Sequence, residues 1–575
     1  MGNANYIGRV GTLAVALGIG VGLVSTPWVV SAKPSDDSSS STDSSSTDSS
    51  STDSSSAGSS AKADSSAAKA PKAAKAPKNV MVSKNGVVKK DGDGTAFAET
   101  PLGSTGTKSK AKGEGASAIV TSGNNSSATA NGTNATATAG GGEENNAKVH
   151  GDDSTAVAGD GGTDNNNNTA RATGDNSAAY AGSGGNSNNN NTATVTGDNS
   201  GAYAGANGSG NNNNTATVAG DTTLGVPGDN SVAVAGSFGD DNTDNTASAT
   251  GANAGAFAGG GIPEVATGNN NSGNTATAAN TGGGVNPTTA IAGAAGDNNA
   301  DNRASASGTD SAAVAGSFGN DNGGNTATAN GANTAADAGS GGNDNDNNTA
   351  TAANSGSGTA SGSQARAGSV GDNNDNNTAT ANNSGTDSVT GSGAGIQGNN
   401  NSGNTAFASN TASNADTGAA AGVGGSDNTG NTASATNSGL DSILAALAGT
   451  TGSNNTGNEA TATNSGAGSE VGAAAGINGS NNTGNEATAT NSGAGSEVGA
   501  LAGNNGSDNT GNTATAQNSG LDSILAALAG TTGSNLTNNE AIATNSVGAT
   551  ATGASAQAPA GCSATATDGD SDSCS

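Results

Sequence analysis

Asn377, Asn404, Asn431, Asn458, Asn485, Asn512 and Asn539 recur at an unbroken interval of 27 residues. Random low complexity does not hold register over such a run, so the chain is a repeat protein whose units bury themselves against one another. A second level sits on top of the first. The segment Gly-Leu-Asp-Ser-Ile-Leu-Ala-Ala-Leu-Ala-Gly at 439–449 returns at 520–530, three 27-residue periods later. Nearer the N-terminus the marker Asn-Thr-Ala is spaced more tightly. Thr169, Thr192 and Thr215 are 23 residues apart, as are Thr326 and Thr349, and intervening copies are more widely spaced.

Each unit holds two short alternating stretches, such as Thr192-Ala193-Thr194-Val195-Thr196 and Val232-Ala233-Val234-Ala235, separated by Gly, Asn and Asp. Alternation has the period of a strand, and Gly, Asn and Asp are the residues that tolerate positive φ in turns. Length variation falls mainly in the turns. These features predict an all-β, elongated β-solenoid with repeats of about 23–31 residues, in which each strand pairs with its equivalent in the next turn. The repeated Asn predicts a stacked amide ladder.

Leu440, Ile443, Leu444 and Leu447 fall at the i, i+3, i+4, i+7 spacing of a helix. The equivalent slots one repeat on, Ser469-Glu470-Val471-Gly472-Ala473-Ala474-Ala475-Gly476, carry a glycine and alternate like a strand. Repeats keep one backbone shape, so a strand with large residues on both faces is expected, supplying extra core or docking a partner.

Five segments follow. Arg9 precedes an apolar run from Val10 to Val24, and Val30-Ser31-Ala32 ends in small residues, so 1–32 reads as a signal peptide cut between Ala32 and Lys33. The run is short, is interrupted by glycines, and leaves no membrane span after processing. Residues 33–60 are a Ser/Thr/Asp spacer expected to be disordered, and 61–119 a linker containing Lys, Ala and Pro. The array is placed at 120–555. The tail, 556–575, holds Cys562 and Cys574, the only two cysteines, which an oxidising compartment would join in a local disulfide.

The chain has 97 glycines in 575 residues, 2% aromatic side chains and a formal charge of −30. Large core-filling residues are scarce, which argues against an ordinary enzyme fold. After Lys148 the permanent cations are Arg171, Arg303 and Arg366, a balance opposed to nucleic-acid binding. His150 is the only histidine, so no Ser or Asp of the array has a histidine partner for catalysis. No cofactor is indicated. Gly371-Asp372-Asn373-Asn374-Asp375 offers oxygen ligands of the type calcium takes, but without the spacing of an EF-hand or a calcium-binding roll.

Asn230-Ser231-Val232-Ala233-Val234-Ala235-Gly236 and Asp310-Ser311-Ala312-Ala313-Val314-Ala315-Gly316 resemble the Asn-Ser-Val-Ala-Ile-Gly motif of trimeric autotransporter adhesin heads. That resemblance implies stacked turns of a left-handed roll displayed on a cell surface. The leader and repeats also resemble those of small-residue-rich secreted actinobacterial proteins.

The expected function is therefore a non-catalytic, secreted or cell-surface structural or adhesive protein. Its partner would be an envelope polymer, extracellular matrix or another surface protein. The candidate interaction surface comprises Thr192, Thr194, Thr215 and Thr217 together with Leu440, Ile443, Leu444 and Leu447. Two alternatives accompany it: an ice-binding solenoid using Thr-Ala-Thr ladders, and a largely disordered hydrophilic envelope or matrix protein.

Overall fold

The computed structural model describes residues 78–575 except 221–229, 263–265, 281–286, 309–310, 332, 340, 356–361, 414, 440–442, 466–469, 493–497, 519–523, 531–532, 545–550, 557–562, 568–570 and 575. Every regular element among them is a strand. From Phe97–Glu99 onward, successive strands alternate between a 21-stranded sheet, called here the long sheet, and a second wall built of 16-stranded and 4-stranded sheets. Strands of the long sheet pair in parallel with their equivalents one repeat away, in strict residue register: Thr169 with Thr192, Thr192 with Thr215, Thr215 with Thr246. This is the predicted β-solenoid.

Inward positions of both walls are filled almost entirely by alanine. Ala193 and Val195 of the long sheet, and Ala202 and Ala204 of the second wall, are fully buried in one continuous core. Outward neighbours on the same strands, Thr192 and Thr194, are half-buried. Small residues suffice because the walls lie close together and each side chain also packs on its copies above and below.

The 27-residue register is a ladder of buried amides. Asn458 donates from Nδ2 to Oδ1 of Asn431 at 3.0 Å, and its backbone N–H reaches the same oxygen at 3.1 Å. The same bonds join Asn168 to Asn145 across 23 residues and Asn245 to Asn214 across 31. Variable repeat length therefore leaves the ladder intact. A second column lies three residues upstream, where Asn455 N–H donates to Oδ1 of Asn428 at 3.0 Å. It ends at Leu536, whose backbone N–H takes Oδ1 of Asn509 at 3.1 Å.

Each column asparagine follows a residue with positive φ, among them Asn376 (57°), Gly457 (59°) and Asn538 (53°). These positions explain the alternation of Asn, Asp and Gly in the turns. A third column requires glycine for space. A Cβ on Gly452 would lie 1.8 Å from the carbonyl oxygen of Gly479, its equivalent in the next turn.

The stack begins earlier than residue 120. Phe97–Glu99 pairs with Ser117–Val120, and Lys108–Lys112 with Ser127–Asn131, both in parallel. Much of the segment expected to be a linker is thus already folded. Lys108-Ser109-Lys110-Ala111-Lys112 keeps the strand alternation, with lysines out and small residues in. An antiparallel hairpin, Val80–Lys84 and Val87–Lys90, closes this end on Lys108–Lys112. Its turn residues Asn85 and Gly86 have φ of 49° and 76°, the pairing favoured in two-residue hairpins. At the other end strands continue through Ser563–Thr567 and Ser571–Cys574.

Candidate interaction surface

Because the long sheet holds one register from Lys108–Lys112 to Ser563–Thr567, its outward residues fall into straight columns. In a parallel sheet these repeat about every 4.8 Å, with neighbouring columns about 7 Å apart along the strand. Thr192, Thr194, Thr215 and Thr217 lie in two adjacent columns, so the structure brings these four predicted residues together. The columns continue through Thr246, Ser248, Thr275 and Thr277. They resume at Thr326, Thr328, Thr349, Thr351, Thr378 and Thr380. Arg303 interrupts the first run, and Phe407 follows the second.

The leucine-containing copies are strands, Ile443–Leu447 and Ile524–Ala529. Leu444 points inward and joins the alanine core at 2% exposure, whereas Leu447 is on the other face at 9%. These two residues therefore do not share a surface. Ile443 pairs with Glu470 in backbone register, and Leu440 lies outside the described residues. On the outward side of the second wall, Ala474, Ile477 and Leu501 form a small separate cluster, with Leu528 packed against it. Larger residues on both faces are thus present, and much of the outer set serves packing.

A second apolar column escaped the sequence reading. Outward on the second wall, Val157, Tyr180, Tyr203, Val234, Phe257, Ile291 and Val314 pair in succession. The Tyr180 and Tyr203 rings stack at 5.2 Å with only 5° between planes. Burial pushes both phenol pKa values up. The signal was available: the tyrosines are 23 residues apart, one local period.

Charge is distributed unevenly. The outward lysines Lys108, Lys110, Lys112 and Lys148, with Arg171, occupy the first strands of the long-sheet ladder and are exposed. Its exposed outward carboxylates are Glu459, Glu486 and Glu540, near the opposite end. Most other described acids sit in turns, and several of them accept hydrogen bonds from the backbone of a neighbouring repeat. Asp372 Oδ1 accepts from Asn343 N–H at 2.9 Å, and Asp375 Oδ1 from Asp346 N–H at 2.8 Å. The segment 371–375 thus uses its carboxylates to join turns. Among the described residues, no group of three or more His, Cys, Asp or Glu is placed to hold a metal ion.

No family model, curated protein or solved structure matches the chain. Ala32, Lys33 and Cys562 lie outside the described residues. Cys574 ends the strand Ser571–Cys574, whose backbone pairs with Gly553–Ala556.

Proposed function

We propose that the chain is a non-catalytic structural repeat protein of the extracellular space or cell surface, with the outer face of its long sheet as a multivalent contact surface. The observation carrying this reading is the unbroken outward register of that face. Equivalent outward positions, most of them hydroxyl-bearing, stay in register from Thr194 to Thr515 while repeat length varies around them. A weak contact repeated along a rigid ladder gains through effective concentration without any single strong site. The Arg9-to-Ala32 pattern supports export, and the resemblance to adhesin head repeats supports surface display.

Ice binding draws on the same threonine columns. Arg303, Phe407 and Glu459 break the hydroxyl grid into short patches, which favours the structural reading.

Retention on insoluble cell-wall polysaccharide tests the contact surface, using purified protein and a variant carrying Thr194→Glu, Thr217→Glu and Thr328→Glu. Retention of the parent and its loss in a variant with an unchanged far-UV spectrum is the expected result. Equal behaviour of the two proteins would remove this face from the function. Fractionation of expressing cells, with and without Arg9→Glu plus Ala32→Asp, tests export.

A further inference from the structure

The charges on the long sheet follow a pattern that the threonine columns do not. Counted along the ladder from Lys108–Lys112, the cationic strands are the first, third and fourth, carrying Lys108, Lys110 and Lys112, then Lys148, then Arg171. Counted back from Glu540–Thr544, the glutamate strands are also the first, third and fourth, carrying Glu540, Glu486 and Glu459. The stretch from Lys108–Lys112 to Glu540–Thr544, one strand short of Ser563–Thr567, thus carries complementary charges when read from its two ends.

We propose that this face pairs with the same face of a second copy, antiparallel, about a two-fold axis lying along the strand direction between Arg303–Ser307 and Thr326–Asn330. This rests on reading the face as a contact surface and names its partner. Such an axis keeps each column opposite itself. Lys108 then faces Glu540 directly, because both occupy the first outward column. Lys148 and Arg171 stand in the next column, about 7 Å along the strand from Glu486 and Glu459, within reach of their long side chains. The mirrored spacing gives a closed, self-complementary interface.

Two further observations favour a second copy. The chain carries −30 overall, which opposes self-association through most surfaces. This face is the exception. It carries both signs, with Lys108, Lys110, Lys112, Lys148 and Arg171 towards one end and Glu459, Glu486 and Glu540 towards the other, and no other carboxylate points outward from its described parallel strands. Between the charged ends the face carries mainly short Thr and Ser side chains. The strip from Lys108–Lys112 to Glu540–Thr544 is on the order of 80 Å by 10 Å, roughly the 800 Å² per partner of a standard stable interface.

Sedimentation equilibrium of the full purified chain tests the proposal, at 50 mM and 1 M sodium chloride. A dimer at low salt that dissociates at high salt is expected. The acid-to-base variant, Glu459→Lys, Glu486→Lys and Glu540→Lys, should be monomeric. So should the base-to-acid variant, Lys108→Glu, Lys110→Glu, Lys148→Glu and Arg171→Glu. Mixed in equal amounts, the two should recover the dimer, because each supplies the charge that the other lacks at both ends. Recovery also shows that neither variant failed to fold. A parent that stays monomeric at low salt would overturn the pairing. So would a dimer that survives in both variants, or two monomeric variants with native far-UV spectra that do not recombine. Wall retention by a parent that stays monomeric would leave the contact-surface reading standing while removing this partner.

Discussion

Asn458 Nδ2 donates to Oδ1 of Asn431 at 3.0 Å, and Oδ1 of Asn458 accepts in turn from Nδ2 of Asn485 at 3.0 Å. All three residues are fully buried, and each amide serves the turns on either side. Asn458→Ala removes the acceptor of the Asn485 backbone N–H and one of the two acceptors of Asn485 Nδ2, and leaves Oδ1 of Asn431 with fewer donors. A loss of about 1–3 kcal/mol is expected in chemical denaturation.

Asn458→Asp separates shape from donor chemistry. The carboxylate would keep the acceptor but face Oδ1 of Asn431 with no hydrogen to offer, so burial raises its folded pKa above the unfolded value. The sign follows: the penalty grows as pH rises through the unfolded carboxylate pKa and shrinks as pH falls below it. Melting curves at pH 3.5 and pH 7 should show a larger deficit against the parent at pH 7. An equal deficit would contradict the amide ladder at this position.

Gly452 and Gly457 lie in the same repeat but are glycine for different reasons. Gly452→Ala places a methyl 1.8 Å from the Gly479 carbonyl oxygen and should cost about 3 kcal/mol or more, because a whole column of backbones must shift. Nothing lies within 4 Å of a Cβ on Gly457, whose φ is 59°. Gly457→Ala should cost about 1–2 kcal/mol, and Gly457→Asn less, since Asn376 and Asn538 already hold this conformation. Equilibrium unfolding of the three variants gives the ranking.

Asp346 is held above the ordinary carboxylate range chiefly by burial. The Gly323 N–H opposes that shift, while Asp375 and Asp321 reinforce it. Its folded pKa exceeds the unfolded value, so ionisation disfavours the fold, and the stability contribution is lost as pH rises. Asp346→Asn keeps an acceptor for Gly323 and matches Asn166, Asn189 and Asn212 at the equivalent position. A higher melting temperature is expected, with a larger gain at pH 7 than at pH 3.5.

Leu501, 4% exposed, packs with Ala474, Ile477 and Leu528 on the outward side of the second wall. Leu501→Ala should cost about 2–4 kcal/mol. A change below about 0.5 kcal/mol in urea unfolding would mean that this cluster contributes no core.

The architecture was legible because its period is a spacing: Asn377 to Asn539 mark the ladder, and Thr192-Ala193-Thr194 marks outward and inward positions. The strand at Ile443–Leu447 was readable against its helical spacing because its repeat partner contains Gly472. The folded start at Lys108–Lys112 was harder to see, since lysine alternating with small residues resembles a linker until its serine and alanine are placed inward. The Tyr180 and Tyr203 pair is one local period apart, but it is hidden in a chain with 2% aromatic residues until the register brings the two rings together. The two glycine roles were not separable at all, because φ and the approach of the next turn are properties of the stacked backbone. The charge pattern needed the register as well: Lys108 and Glu540 become members of one column only through the intervening strands.

Far-UV circular dichroism of the purified protein, followed through thermal unfolding, tests the central claim most directly. A β-sheet spectrum that melts cooperatively, and melts lower in Asn458→Ala, is the outcome the amide-laddered solenoid predicts. A random-coil spectrum without a transition, unchanged by that substitution, would contradict it.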